Sequence, residues 1–250
     1  VKKLLDSKLS LHGPGKNIFQ IKKKLKKNFG FIHTHLTNSC TSAMEMSALL
    51  INLKPKDEVI LPSYTFVTTG SSFARTGCQL RYCDIQRHNL MPSFQQIKKC
   101  VNKKTRAIVI VHYQGFSVNY LDKLKIFCKK KKIFLVEDAA QAFGASLNQK
   151  MAGSYSAAAG MSMNPMKVFG GFGEAGAVVT EDDRIFRRLK LLRYAGTTSD
   201  PQKLVTNDCR EVSLNHKMDT INAALLLVAL DHLPEKVRLF IDFVIAYNIH

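Results

Sequence analysis

The sequence predicts an α/β domain whose sheet is largely parallel and covered by helices on both faces. Three observations carry this. Ala107-Ile-Val-Ile-Val-His112 and Ile133-Phe-Leu-Val-Glu137 are near-continuous apolar runs, the composition of strands buried on both faces. Between about Lys56 and Thr180, short β-branched runs alternate with helix-length amphipathic stretches. The 250 residues, 46% of them hydrophobic, suffice for a substantial core.

In chain order, Lys22-Lys-Lys-Leu-Lys-Lys27 closes a first helix-like segment, and Ser42 to Leu53 reads as a helix offering Met44, Leu49, Leu50 and Leu53 to a core. Glu58-Val-Ile-Leu61 is a strand ending at Pro62, and Leu80-Arg-Tyr-Cys-Asp-Ile85 is the next. The 107–112 strand follows. A helix from Asn119 to Lys131 is expected to be capped by Asn119 and to end in lysines that suit the helix dipole. After the 133–137 strand, Ala177-Val-Val-Thr180 reads as an edge or antiparallel strand and Asp182 to Tyr194 as a helix. Met218 to Leu233 is apolar nearly all round, which implies burial against a second subunit or domain. The chain starts inside a Lys/Leu-rich helical pattern and stops inside another at Tyr247-Asn-Ile-His250, so a fragment is expected: a large domain over 1–230, then a linking helix and the start of a truncated small domain over 231–250.

No apolar run is long enough to cross a bilayer and Val1-Lys-Lys-Leu-Leu-Asp6 is no secretory signal, so a cytoplasmic protein is expected. The six cysteines contain no Cys-x-x-Cys pair and suit reduced thiols. His33 and His35 lie on a short polar approach without a carboxylate or cysteine at ligand spacing, so they read as surface or loop histidines rather than a zinc site. The net charge of +18 admits a nucleic-acid partner. The lysine runs at 22–27 and 129–132 lack interleaved aromatics or an arginine stripe, which favours a solvated face instead.

Lys167 carries the sharpest chemical signal. It is flanked by Met, Pro, Val, Phe and Gly in Asn164-Pro-Met-Lys-Val-Phe-Gly170, company expected to desolvate an amine and lower its pKa, as an amine catalyst requires. Asp138 ends an apolar strand, where an acid is costly unless a cation or donor meets it. On the residues alone it is equally an N-cap for a helix starting at Ala139. Asn38-Ser-Cys-Thr-Ser42 precedes a helix and is either a cap or a phosphate cradle. The glycines at 170, 171, 173 and 176 lack the Gly-Lys-Ser/Thr ending of an ATP-binding loop.

Taken in order, these motifs resemble the DegT/StrS-type sugar-nucleotide aminotransferases, which use pyridoxal phosphate (PLP) on the fold-type I scaffold. The resemblance runs from about Gly13 to Leu233, through Pro55-Lys-Asp-Glu-Val-Ile-Leu-Pro-Ser-Tyr-Thr-Phe66, Val136-Glu-Asp-Ala-Ala-Gln-Ala142, Ser162 to Lys167, Gly173-Glu-Ala-Gly176 and Asn215-His-Lys-Met-Asp219. It implies a mostly parallel mixed sheet flanked by helices, with the C-terminal small domain largely absent. It implies that Lys167 attaches PLP and later moves the proton between the cofactor and the α carbon. Asp138 would keep the pyridine nitrogen protonated, Phe66 would stack on the ring, and Gln141 would bond near the ring hydroxyl. Thr41, Ser42 and Ser162 would hold the phosphate, and Asn215 would reach the phosphate of a neighbouring subunit, making a homodimer with shared sites.

Met163, Asn164, Val168 and Glu174-Ala-Gly176 depart from the commoner residues of that family. The departures bear on substrate contacts rather than on the cofactor. The expected activity is amino transfer, with glutamate as donor, to a nucleotide-linked keto-sugar, giving an amino sugar for surface polysaccharide or other glycans. The rivals are a basic nucleic-acid-binding or regulatory protein and an inactive fragment of the aminotransferase.

Overall fold

A computed structural model describes residues 15–200 and 205–247. The Lys/Leu-rich start of the chain and its last three residues lie outside them. Seven strands form the main sheet: β1 (His33–Thr37), β2 (Glu58–Pro62), β3 (Gln79–Cys83), β4 (Thr105–Val111), β5 (Phe134–Asp138), β8 (Ala158–Ser162) and β9 (Gly176–Thr180). Two-residue strands β6 (Ser146–Leu147) and β7 (Lys150–Met151) pair separately, as do β10 (Thr197–Asp200) and β11 (Val205–Cys209). The order across the main sheet is β1-β9-β8-β5-β4-β2-β3. The stretch from β3 to β8 is parallel, and β9 runs antiparallel to both β8 and β1.

Two strands of the main sheet escaped the sequence reading, as did the short pairs β6–β7 and β10–β11. β1 is the supposed polar approach: His33 and His35 both stack on Phe186, and His35 is buried with Nε2 3.0 Å from the Phe186 carbonyl. Alternating Thr and His hid the strand because its polar side chains are packed from both sides. The small residues of β8 gave no β-branched signal.

The helices are α1 (Lys16–Phe29), α2 (Cys40–Ile51), α3 (Val67–Ala74), α4 (Phe94–Cys100), α5 (Leu121–Lys131), α6 (Asp183–Arg193), α7 (Thr220–Asp231) and α8 (Leu233–Tyr247). Asp182 caps α6, accepting from the N–H of Arg184 and Ile185 at 2.7 and 3.1 Å. Asn119 does not cap α5. Tyr120 stands at that position without a side-chain cap bond, and the helix rests on its buried Leu121, Leu124 and Cys128 face and its terminal lysines. The apolar stretch 218–233 is interrupted at His232, and Ala223, Leu226 and Leu230 pack against α1 of the same chain.

Strand periodicity sorts the core into two faces. On β4, Ile108 and Ile110 meet α5, whereas Ala107 and Val109 meet α2 and α3. On β9, Ala177 and Val179 join the α1/α7 side, while Val178 joins α2 and α6. Each fully buried Ile or Leu contributes roughly 1.5–3 kcal/mol of transfer free energy. The start of α2 lies directly on β8 and β9 because glycine leaves room there. A Cβ on Gly160 would come 2.7 Å from Met44 Sδ, and one on Gly176 would come 2.4 Å from the Ser39 carbonyl carbon. No helix among the described residues is long and apolar enough to cross a membrane.

Candidate active site

Adjacent strand residues point to opposite faces, so Glu137 and Asp138 have separate fates. Glu137 shares the α5 side with His112. Its Oε2 lies 2.7 Å from His112 Nε2 and accepts the Gly153 N–H at 2.8 Å, and Oε1 accepts the Tyr155 N–H at 2.8 Å. Burial pushes this carboxyl up, but the bond and charge of His112 and the Gly153 N–H outweigh it and hold the group below its ordinary value. Glu137 therefore belongs to the frame.

Asp138 turns to the α2/α3 side, at the carboxyl end of β5, and is only 6% exposed. Its Oδ2 accepts the Thr69 hydroxyl at 2.6 Å, and Oδ1 accepts the Ala140 N–H at 3.2 Å. Residues 139–143 form turns rather than a helix, so the capping alternative falls away. Burial pushes the carboxyl above its usual range, opposed by Thr69, the Ala140 N–H and the charges of His112 and Lys167. A cation beside it would reverse that burial penalty.

Asp138 opens on a cavity of about 480 Å³ at the carboxyl ends of the parallel strands, where open α/β sheets bind ligands. The same cavity is lined by Lys167, Phe66, Gln141, Ser162 and Thr41. Lys167 is half-buried, and its apolar sequence neighbours do not enclose it: Met166 is 91% exposed. What positions the lysine is its loop. Asn164 accepts the Lys167 N–H at 2.9 Å through its carbonyl and the Met166 N–H at 2.9 Å through Oδ1, while its amide donates to Glu174. A Cβ at Gly170 would meet the Pro165 carbonyl oxygen at 2.5 Å, which explains a glycine there.

Phe66 stands at the N-cap of α3 with 70% of its surface exposed, so its ring offers a free face at the mouth. Gln141 Oε1 is occupied by the Gln114 N–H at 2.8 Å, so its amide contributes a donor. At the start of α2, the Ser39 hydroxyl accepts the Ser42 N–H at 3.1 Å. Ser42 is buried behind this cap and does not line the cavity, which corrects its expected place, whereas Ser39, Cys40 and Thr41 do line it. First-turn N–H groups and hydroxyls at a helix start suit an anion. Asn215 is exposed and lies beside Asn38 of its own chain, whose amide donates to the Asn215 carbonyl at 3.5 Å, outside the cavity.

Sequence reasoning missed Thr69 and Thr65, whose hydroxyls lie 2.7 Å apart and continue the chain that ends on Asp138. Their four-residue spacing at a helix start was the available signal. Cys40, Tyr113 and Glu174 also line the cavity. Replacing Thr69 by valine removes a hydrogen bond to a buried acid, so urea unfolding should show a loss of about 1.5–3 kcal/mol. The loss should be larger near neutral pH than near pH 4. Equal stability of the variant and the wild type at both values would deny Thr69 this role.

A buried acid awaiting a cation, an amine, an exposed ring face and an anion-seeking helix start together fit PLP, whose pyridinium, carbonyl, ring and phosphate match them in turn. The set lies at the carboxyl ends of the parallel strands, where it has the composition of a PLP-binding site. Residues 1–241 match the DegT/DnrJ/EryC1/StrS aminotransferase family, and the chain belongs to it. It is 33% identical over 236 residues to the erythromycin biosynthesis sensory transduction protein EryC1 of Saccharopolyspora erythraea, covering 94% of this chain and 62% of that protein. It is 31% identical to the UDP-2-acetamido-2-deoxy-3-oxo-D-glucuronate aminotransferase of Pseudomonas aeruginosa, over 80% of this chain and 54% of that one. The solved structure of Helicobacter pylori PseC, an aminotransferase involved in pseudaminic acid biosynthesis, superposes with a TM-score of 0.82 at 26% identity, over 93% of this chain and 62% of that chain. DesV of S. venezuelae gives 0.83 at 28%, over 94% and 61%. The chain thus spans about half to three fifths of the length of these curated relatives.

Proposed function

We propose that the protein transfers an amino group, with glutamate as donor, to a keto-sugar carried on a nucleoside diphosphate, using PLP. The observation that carries this reading is one cavity shared by Lys167, Asp138 and the start of α2. The choice of sugar nucleotides is supported by relatives whose names specify UDP- and dTDP-linked sugars. Supply of an amino sugar to surface polysaccharide or other glycans follows from that choice.

Bound PLP supplies an electron sink for the carbanion left when the donor's α carbon loses its proton. In this reading Lys167 Nζ would be the amine that holds the cofactor, and once free it would be the group in the cavity placed to take up and return a proton. Asp138, oriented by the Thr69 hydroxyl, would be the carboxylate that meets the ring nitrogen and favours its protonated form. Phe66 would offer its exposed ring as a stacking face, and the Gln141 amide would offer a donor to the cofactor. Thr41, the first-turn N–H groups of α2 and the Ser162 hydroxyl would hold the phosphate. Asn215 completes the phosphate site of a neighbouring subunit in a homodimer. Support for that role is its exposure between Val212 and Leu214 on one side and Lys217 on the other, the two apolar residues being 90% and 50% exposed.

The test is to incubate purified protein with PLP, glutamate and UDP- or dTDP-linked keto-sugars and follow 2-oxoglutarate and the aminated nucleotide sugar. Asp138→Ala should retain PLP absorbance yet lose turnover by about 10²- to 10³-fold, the scale of a preorganised electrostatic contribution. Failure to bind PLP or to form 2-oxoglutarate with any of these sugars would refute the reading.

A further inference from the structure

On the open edge of β1, away from the cofactor cavity, a second cleft of about 430 Å³ lies between α1, α6 and the segment at Lys217. Arg187, Lys190, Arg193 and Lys217 line it, with Thr198 beside them, and no carboxylate is among the lining residues. Lys22 of α1 joins the group, its charge and that of Lys190 acting on the same neighbours as Arg193. These five cations converge from three segments distant in sequence.

No carboxylate is among the described residues that line the cleft, and Asp182 acts on Arg187 only from beside it. The nearby acids are already engaged: Asp183 with His33 at 2.7 Å, Asp182 with the start of α6, and Glu211 with Arg188 at 2.9 Å. Arg193 reaches only the Leu36 carbonyl at 3.5 Å, and its Nε is buried without a partner. Lys217 and Lys22 lie over the rings of Tyr194 and Phe186, which are weak substitutes for an anion. The positive field registers on the neighbours as well. His35 is held down to about 3, first by burial and then by Arg193, Lys22 and Lys190. Burial, Arg193 and Lys190 likewise lower Lys22. Packing like charges around a concave site costs stability unless a multivalent anion occupies it.

We propose that this cleft binds the diphosphate group of a small soluble ligand. Its concavity and volume suit a compact anion, and two adjacent phosphoryl groups match guanidinium and ammonium donors that face each other across it. Identification of the ligand as the nucleotide-linked sugar rests on the aminotransferase reading. Lys217 makes that link structurally reasonable, because its backbone pairs with Thr37, two residues before Ser39 at the cofactor cavity.

The experiment titrates purified protein calorimetrically with inorganic pyrophosphate and with UDP, using Arg187→Gln/Lys190→Gln. Both side chains are exposed, so the fold should persist. A second double variant, Lys129→Gln/Lys130→Gln, removes the same charge at the far end of α5. The first pair should weaken pyrophosphate and UDP at least about tenfold, and the second less than about twofold. PLP binding should be unchanged in both. Equal weakening by the two pairs, or no pyrophosphate binding, would overturn the proposal. So would retention of a single-stranded oligonucleotide, or of phosphatidylglycerol vesicles, without any response to pyrophosphate. In the transamination assay the first pair should raise KM for the nucleotide sugar about tenfold at constant kcat. Loss of pyrophosphate binding in a protein with no transaminase activity would keep the cleft and reject the proposed reaction, whereas full activity with an unchanged KM would reject the cleft as the substrate's site.

Discussion

Replacing Lys167 by alanine is expected to abolish amino transfer, lowering turnover by at least about 10³-fold while the protein stays folded. The basis is that, among the described residues, no other amine lines the 480 Å³ cavity that Asp138 opens on. Lys236 of α8 donates instead to the Lys167 carbonyl at 3.0 Å. The side chain is half-buried and faces the cavity, so its removal leaves little packing defect. Thermal or urea unfolding should therefore change by less than about 1 kcal/mol. Borohydride treatment of wild-type protein with PLP should fix the cofactor on the peptide containing Lys167, and the variant should show no fixed label. Label retained on that peptide in the variant, or turnover within tenfold of wild type, would remove the lysine from the reaction. Comparison with Asp138→Ala separates two roles. Loss of the amine removes both attachment and proton transfer, whereas loss of the acid leaves attachment in place and weakens only the electron sink.

The sheet and the chemistry were legible in the sequence to different degrees. The strongest strands, 107–112 and 133–137, were readable because they are buried on both faces and need no alternation. β1 was not, since a strand carrying Thr34, His35 and Thr37 relies on Phe186 and on the flanking helices α1 and α6, which no local pattern records. The acid pair Glu137-Asp138 was visible as a pair. Which acid faces the cavity follows only from the register, which sets Glu137 beside Ile110 and Asp138 beside Val111. Lys167 was found by the apolar company of its neighbours, yet that company does not surround it; Asn164 and the glycine-bounded loop hold it in place. Ser42 looked equivalent to Thr41, but it is buried at the start of α2, whereas Thr41 lines the cavity. The basic cleft was invisible because its cations are separated by up to about two hundred positions and meet only through the edge strand.

Glu137→Ala should cost about 3–5 kcal/mol, the largest loss of stability expected for any single change near the site. The substitution leaves the fully buried His112 without its acceptor, on a ring whose Nδ1 already has no partner. It also orphans the buried N–H groups of Gly153 and Tyr155. Those two residues lead into β8 and hence to Ser162, while His112 precedes Tyr113 at the cavity, so the frame loosens on both sides of Asp138. The pH dependence has a definite sign. Because the folded pKa of Glu137 is below 4.5, its stabilisation is present above that value and is lost as pH falls through the lower folded value. The difference between wild type and variant, measured by urea unfolding, should accordingly be full at pH 7 and shrink on acidification below about 4.5. A double change, His112→Phe with Glu137→Met, discriminates further. A buried ion pair standing alone can be replaced by apolar side chains with little loss. Here the Gly153 and Tyr155 N–H groups would remain unsatisfied, so the double variant should recover only part of the stability. Full recovery would show that the carboxylate serves His112 alone and does not anchor the loop at 153–155.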